Sequence, residues 1–149
     1  MQSLREQLGT GDKRDRVIED ACRVLDDEVN DKSGLTGIAI KGAYKLVKGI
    51  KPGFVREVVD SLLDDFLDAM NPLYEEAVSK QQPAGALVRQ NTSRAADALL
   101  AVTDRRAQKA KSPTIRGAYE KLRPIAKKQV EAACPRLSTL LERHAAAAP

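Results

Sequence analysis

Apolar residues recur along this chain at helical intervals, and the alternation expected of half-buried strands is absent. Ile18, Ala21, Cys22, Leu25 and Val29 keep the spacing of a one-sided helix that Thr10 or Asp12 would cap. Residues 1–11, closing on Gly9-Thr10-Gly11, predict a loose N-terminus, and the stretch from Asn30 to Gly34 ends the first helix. A second helix is expected from about Leu35 to Ile50, with Ile40, Ala43, Tyr44 and Val47 on its buried face. Lys51-Pro52-Gly53 breaks the pattern. The third helix, Phe54 to Met70, has the cleanest stripe. Val55, Val58, Val59, Leu62, Phe66 and Leu67 lie on one side, and Glu57, Asp60, Asp64 and Asp68 on the other. Asn71-Pro72 predicts its end, followed by a short helix over Leu73 to Ser79 and a hinge at Gln81-Gln82-Pro83. Leu87, Val88, Ala95, Leu99 and Val102 predict one helix from about Ala84 to Lys109. Ser112-Pro113 is a start signal, Ser as N-cap and Pro in the first turn. Pro124 and Pro135 predict breaks or kinks beyond it, and residues from His144 to Pro149 are expected to fray.

Within this pattern one phrase occurs twice. Ile40 to Tyr44 reads Ile-Lys-Gly-Ala-Tyr, and Ile115 to Tyr119 reads Ile-Arg-Gly-Ala-Tyr, 75 residues later. In that register seven of the 23 positions from Ile40 to Leu62 are identical, Lys48 meets Arg123, and Gly49 meets Pro124. A duplicated helical unit follows as an expectation, with units at about 12–80 and 84–144 in a single domain of 1–149. The expected fold is all-α, a bundle of about six helices in two similar units about a pseudo-twofold. Gly42 and Gly117 would then permit close approach of the two motif helices.

Composition supports the helical reading. Apolar residues make up 42%, yet aromatics only 3%, so Leu, Val, Ile and Ala must build the core. Cys22 and Cys134, lacking CxxC spacing or a neighbouring His, read as small apolar residues, not as a metal site or disulfide. The polar N-terminus and the lack of any apolar run near 18 residues predict a cytoplasmic protein with no transmembrane segment.

Charge changes the picture more. Residues 33–56 carry five basic side chains and no acid, residues 57–79 seven acids and no base, and residues 80–128 twelve bases against three acids. The net charge of +4 conceals these blocks. Lys41, Tyr44 and Lys48, repeated as Arg116, Tyr119 and Arg123, cluster on one edge of their helices. They could form paired anion sites for phosphate or carboxylate, or their stems could simply cover the tyrosine rings. The basic run from Arg105 to Lys128 could bind nucleic acid, although no aromatics interleave it and no recognition motif accompanies it. The acidic stripe, with Asp65 added, faces away from the apolar side and lacks a Glu-x-x-His motif, so no metal is expected there. Gly34 to Lys51 alone has the form of a cationic helix lying in a membrane interface, but its recurrence as a core-facing repeat argues for burial within the protein. No nucleophile elbow, phosphate loop, dinucleotide fingerprint or ligand cluster is present, and the one histidine, His144, falls in the expected frayed tail. Neither a catalytic set nor a cofactor is predicted. The leading expectation is a non-enzymatic interaction or scaffold protein with a protein partner or a homodimeric state. Polyanion or phospholigand binding is the alternative.

The stretch GLTGIAIKGAYKLVKGIKPGFVREVVDSLLDDFLDAMNP, with the later ADALLAVTDRRA and YEKLRPIAKKQVEAACPRLSTLLERH, resembles a family of small uncharacterised bacterial proteins, mainly actinobacterial. The resemblance covers about residues 12–144. It implies a small helical protein and transfers no activity, cofactor or functional residue.

Overall fold

In the computed structural model, which describes residues 1–145, the described chain is helical throughout, with no strand. The elements are α1 (Leu4–Leu8), α2 (Gly11–Asp31), α3 (Gly34–Lys48), α4 (Phe54–Ser79), α5 (Ala86–Gln90), α6 (Thr92–Lys109) and α7 (Pro113–His144). The long helix α4 is the hub and packs against every helix but α7, which itself pairs with α6 and closes over α2, α3 and α5. The all-α bundle expected from periodicity is therefore found.

Side-chain caps mark two of the seven starts among the described residues, those of α1 and α7, whereas Thr10, expected to cap α2, makes no cap hydrogen bond. Ser112 accepts a hydrogen bond from the Ile115 amide with Pro113 at the start of α7, as its sequence predicts. The N-terminus is not loose. Ser3 and Glu6 form a reciprocal capping box, and α1 drives Leu4 and Leu8 fully out of solvent against α4. Asn71 anchors it by accepting the Leu4 amide at 2.9 Å.

Prolines are the main departure. Helix α4 runs through Pro72 and α7 through Pro124 and Pro135. A proline removes one backbone donor and crowds the preceding turn, but the flanking turns here are clamped by burial. Met70, Leu73, Tyr74 and Ala77 are buried around Pro72, and Cys134, Ser138 and Leu141 around Pro135. Conversely, the helix expected over Ala84 to Lys109 is split at Asn91, whose non-helical φ of −126° and ψ of 60° divide α5 from α6. The two Ile-x-Gly-Ala-Tyr segments consequently stand in unlike settings. One is the 15-residue α3, which ends before the Lys51–Gly53 turn; the other opens the 32-residue α7, which continues past Pro124.

The main core draws on α1, α2, α4, α5, α6 and α7, with Leu67, Leu73, Val88 and Leu141 among its most buried side chains. Helix α3 contributes nothing to that core. Its buried residues are only Gly37 and Ala43. Close approach through the motif glycines is also overturned, because a Cβ at Gly42 or Gly117 would meet nothing within 4 Å. The tight glycine is Gly85, where a Cβ would lie 2.3 Å from the Ser138 carbonyl oxygen of α7.

Candidate functional site

The two motif tyrosines each reach a carboxylate on the preceding helix. Tyr44 donates to Asp26 of α2 at 2.5 Å. Tyr119 donates to Asp104 of α6, and Thr103 Oγ1 lies 2.7 Å from the same phenol oxygen. Burial, reinforced by these carboxylates, pushes both phenols above their ordinary range, so they remain protonated donors. Arg123 grips Asp104 through Nε at 2.9 Å and Nη2 at 3.2 Å. That guanidinium and the Tyr119 hydroxyl hold the Asp104 carboxyl below its usual range. Lys48 sits over the Tyr44 ring, its Nζ 5.1 Å from the centroid. Of the six residues singled out by sequence, Tyr119 and Arg123 thus meet at a shared acid, and Tyr44 and Lys48 meet through the ring. Lys41 and Arg116 are exposed and join no ion pair among the described residues.

The acidic stripe is occupied by the chain's own arginines. Arg14 of α2 donates to Asp64 at 2.7 Å and to Asp60 at 2.9 Å, and Arg5 of α1 bridges Asp64 and Asp68. Asp65 meets Arg106. The Arg14 hydrogen bond is the foremost cause holding Asp64 below the normal carboxylate range. No group of three or more candidate ligands that could hold a metal ion occurs among the described residues.

His144 is not in a frayed tail. It lies in the last turn of α7, with Nε2 2.9 Å from Asp20 Oδ2, while Arg143 reaches the same oxygen at 2.5 Å. Asp20 is buried. Desolvation opposes its ionisation, yet hydrogen bonds from His144 and Arg143 keep its pKa below the ordinary value. These residues edge a groove of about 740 Å³ between α2 and α7. Its one hydroxyl, Thr139, donates to the Pro135 carbonyl. Residues 146–149 of the expected tail lie outside the described residues. Both cysteines are free thiols, and burial pushes the Cys134 thiol up to about 11, so it behaves as the small apolar residue expected.

A different surface emerges on α3. The expectation that this helix is buried by its core-facing repeat is only half met. Leu35, Ile38 and Leu46 are 87%, 71% and 62% exposed, and Ile50 just beyond the helix is also exposed. At 3.6 residues per turn, Leu35, Ile38, Gly42, Leu46 and Gly49 occupy an arc of about 80°. This arc lies opposite the inward Ile40, Ala43, Tyr44 and Val47. Lys41, Lys45 and Lys48 form an adjoining row along one flank. A shallow hollow of about 520 Å³, lined by Gly42, Lys45, Leu46, Gly49, Ile50 and Thr114, continues the face onto the start of α7. The sequence signal was present: Gly34 to Lys48 has apolar side chains on two sides, more than one core contact can cover. No helix among the described residues is long and apolar enough to cross a membrane.

Comparison with known proteins yields no match to a curated protein or to a solved structure. A family model does match, over residues 4–145 and so over nearly the whole chain, in keeping with the resemblance drawn from sequence. By that match, the chain belongs to the family of unknown function DUF6918.

Proposed function

We propose that this chain is a non-enzymatic interaction protein whose binding surface is the outer face of α3. The observation that supports it most is the clustering of exposed large hydrophobics. Apart from Met1, every one of them lies between Leu35 and Ile50. Single exposed apolar residues are ordinary, but a contiguous stripe on one helix marks an interaction surface. The helix bearing it is external to the main core, so its outer face is not needed to hold the bundle together.

A photo-crosslinking residue at Leu46, in cells producing the chain, tests this reading. Adducts at position 46, with none at the exposed Lys80 on the C-terminal turn after α4, are expected. Equal yields at both positions, or no adduct to protein or lipid at either, would refute it.

A second reading has its own support. Arg105, Lys109, Lys111, Arg116, Lys121 and Lys128 form no ion pair among the described residues, which favours polyanion binding through the 80–128 region. Lys41 joins the same set of unpaired cations. Duplex or single-stranded nucleic acid should then bind with an affinity that drops steeply as salt is raised. Affinity indifferent to salt removes this reading.

A further inference from the structure

Resting on the α3 reading above, we infer that the occupant of this face is the surface of an anionic lipid bilayer, on which α3 lies flat. Three features of the face point to that chemistry. First, it is apolar and flush. Leu35, Ile38 and Leu46 project from it, while Gly42 between Ile38 and Leu46, and Gly49 after Leu46, offer no side chain to hold a partner off. A Cβ at Gly42 would meet open space, so the glycine is not required by packing inside the chain.

Second, the charge beside it is of one sign. Residues 33–56 contain no acid. Lys41, Lys45 and Lys48 line the flank without an ion pair among the described residues; Lys48 rests over the Tyr44 ring, and Lys51 is drawn away to Glu57 at 2.9 Å. Lysines in this position extend flexible stems along the apolar layer and leave their ammonium groups among lipid phosphates. Such a juxtaposition of apolar stripe and cation row is complementary to acyl chains beneath anionic headgroups.

Third, the face suits other occupants poorly. A second copy docked through the same patch would bring no carboxylate to these lysines. A specific protein contact is usually centred on aromatic or arginine anchors seated in pockets. This stripe has none, and the hollow beside it is shallow and open. A bilayer demands neither anchor nor register.

Flotation of the full chain with vesicles tests the inference, using pure phosphatidylcholine against phosphatidylcholine with a quarter phosphatidylglycerol. Binding is expected to the anionic vesicles alone and should weaken as salt rises. Replacing Lys41, Lys45 and Lys48 by Gln should weaken it about a hundredfold, at about fivefold per lysine. Leu46→Ser should weaken it as well. Both variants alter exposed side chains, so unchanged melting temperatures will show that folding is not the cause. No flotation with anionic vesicles, or equal flotation by wild type and both variants, overturns the inference. Protein adducts at Leu46 without flotation would overturn the lipid assignment and leave the α3 interaction surface standing. Absence of adducts and of flotation would remove both.

Discussion

Replacement of Gly85 by Ala isolates the tightest contact in the fold. Gly85 has φ −95° and ψ 1°, which an alanine tolerates, so any loss must come from packing and not from backbone strain. The added methyl would lie 2.3 Å from the Ser138 carbonyl oxygen, 2.4 Å from Ser138 Oγ and 2.7 Å from the Ser138 carbonyl carbon. Two of those three atoms are backbone of α7, and Ser138 is fully buried between Cys134 and Leu141, so no rotamer change relieves the clash. Either α5 or α7 must shift. Overpacking of this kind costs about 1–3 kcal/mol. The shift also stretches the 2.7 Å hydrogen bond from Ser138 Oγ to the Gly85 carbonyl; leaving that buried hydroxyl unpaired costs about 1–3 kcal/mol more. A loss of roughly 2–5 kcal/mol corresponds to a fall in Tm of about 5–15 °C for a chain of this length.

Thermal and urea unfolding of Gly85→Ala, Gly42→Ala and Gly117→Ala side by side is the measurement. Nothing lies within 4 Å of a Cβ at Gly42 or Gly117, and both are inside helices, so their replacement should stabilise by about 0.5–1 kcal/mol. Ser138→Ala should not rescue Gly85→Ala, because the closest obstacle is the carbonyl and not the hydroxyl. A Gly85→Ala protein within about 0.5 kcal/mol of wild type, below the usual cost of overpacking, would show that α5 yields freely and that the reasoning fails.

Other perturbations follow from the same structure. Asp20→Asn should destabilise by about 2 kcal/mol at pH 7, since a buried acceptor of charge-assisted bonds is lost. Because the folded Asp20 pKa is lowered, its contribution is fully present above the ordinary carboxylate value and disappears as pH falls through the folded one. The wild-type advantage over Asp20→Asn should therefore shrink below about pH 4; a constant difference in urea midpoints down to pH 2 contradicts it. Tyr44→Phe and Tyr119→Phe should each cost about 0.5–1.5 kcal/mol through the lost carboxylate bond, read by urea unfolding, and a neutral result for both would mean water replaces the phenols without penalty. Pro72→Ala, at an exposed position inside α4, should raise Tm by restoring helix propensity worth up to about 3 kcal/mol, and a lowered Tm would indicate that the proline shapes the helix to its neighbours.

What the sequence revealed and concealed divides along physical lines. Local chemistry was legible: the Ser112-Pro113 start, the apolar stripe of α4, and the break before Pro52 all follow from nearby residues. Outcomes set by distant contacts were not. Pro72 and Pro135 predict breaks, but burial of the turns on both sides carries α4 and α7 through them. Asn91 predicts no break, yet α5 ends there and α6 starts at Thr92. His144 looked terminal because its partner, Asp20, lies 124 residues away. The capping box Ser3-x-x-Glu6 was a readable sign of α1, outweighed by the glycines that follow it. At the candidate surface, the lysine row and the inward side of Ile40, Ala43, Tyr44 and Val47 were legible, but periodicity did not show that Leu35, Ile38 and Leu46 on the other side would stay uncovered.

The charge blocks are satisfied unequally. All seven carboxylates between Glu57 and Glu76 have partners. Six are ion-paired, and Glu75 accepts a hydrogen bond from Asn71. Arginines of α1, α2 and α6 account for most of this, so the acidic block is neutralised within the chain. The basic block of α3 receives no such answer: Lys41, Lys45 and Lys48 keep their charge at the surface. Beside them, the exposed portions of Leu35, Ile38, Leu46 and Ile50 amount to about two and a half side chains left in water. Covering them would be worth roughly 4–8 kcal/mol, comparable with the whole stability of a typical domain at about 5–15 kcal/mol. Surface of that value, next to cations the fold does not neutralise, supplies a driving force that only something outside the described bundle can realise. On the proposed lipid reading, that driving force acts on anionic, apolar matter, while the acidic stripe, already occupied, has no charge left to offer a second basic face.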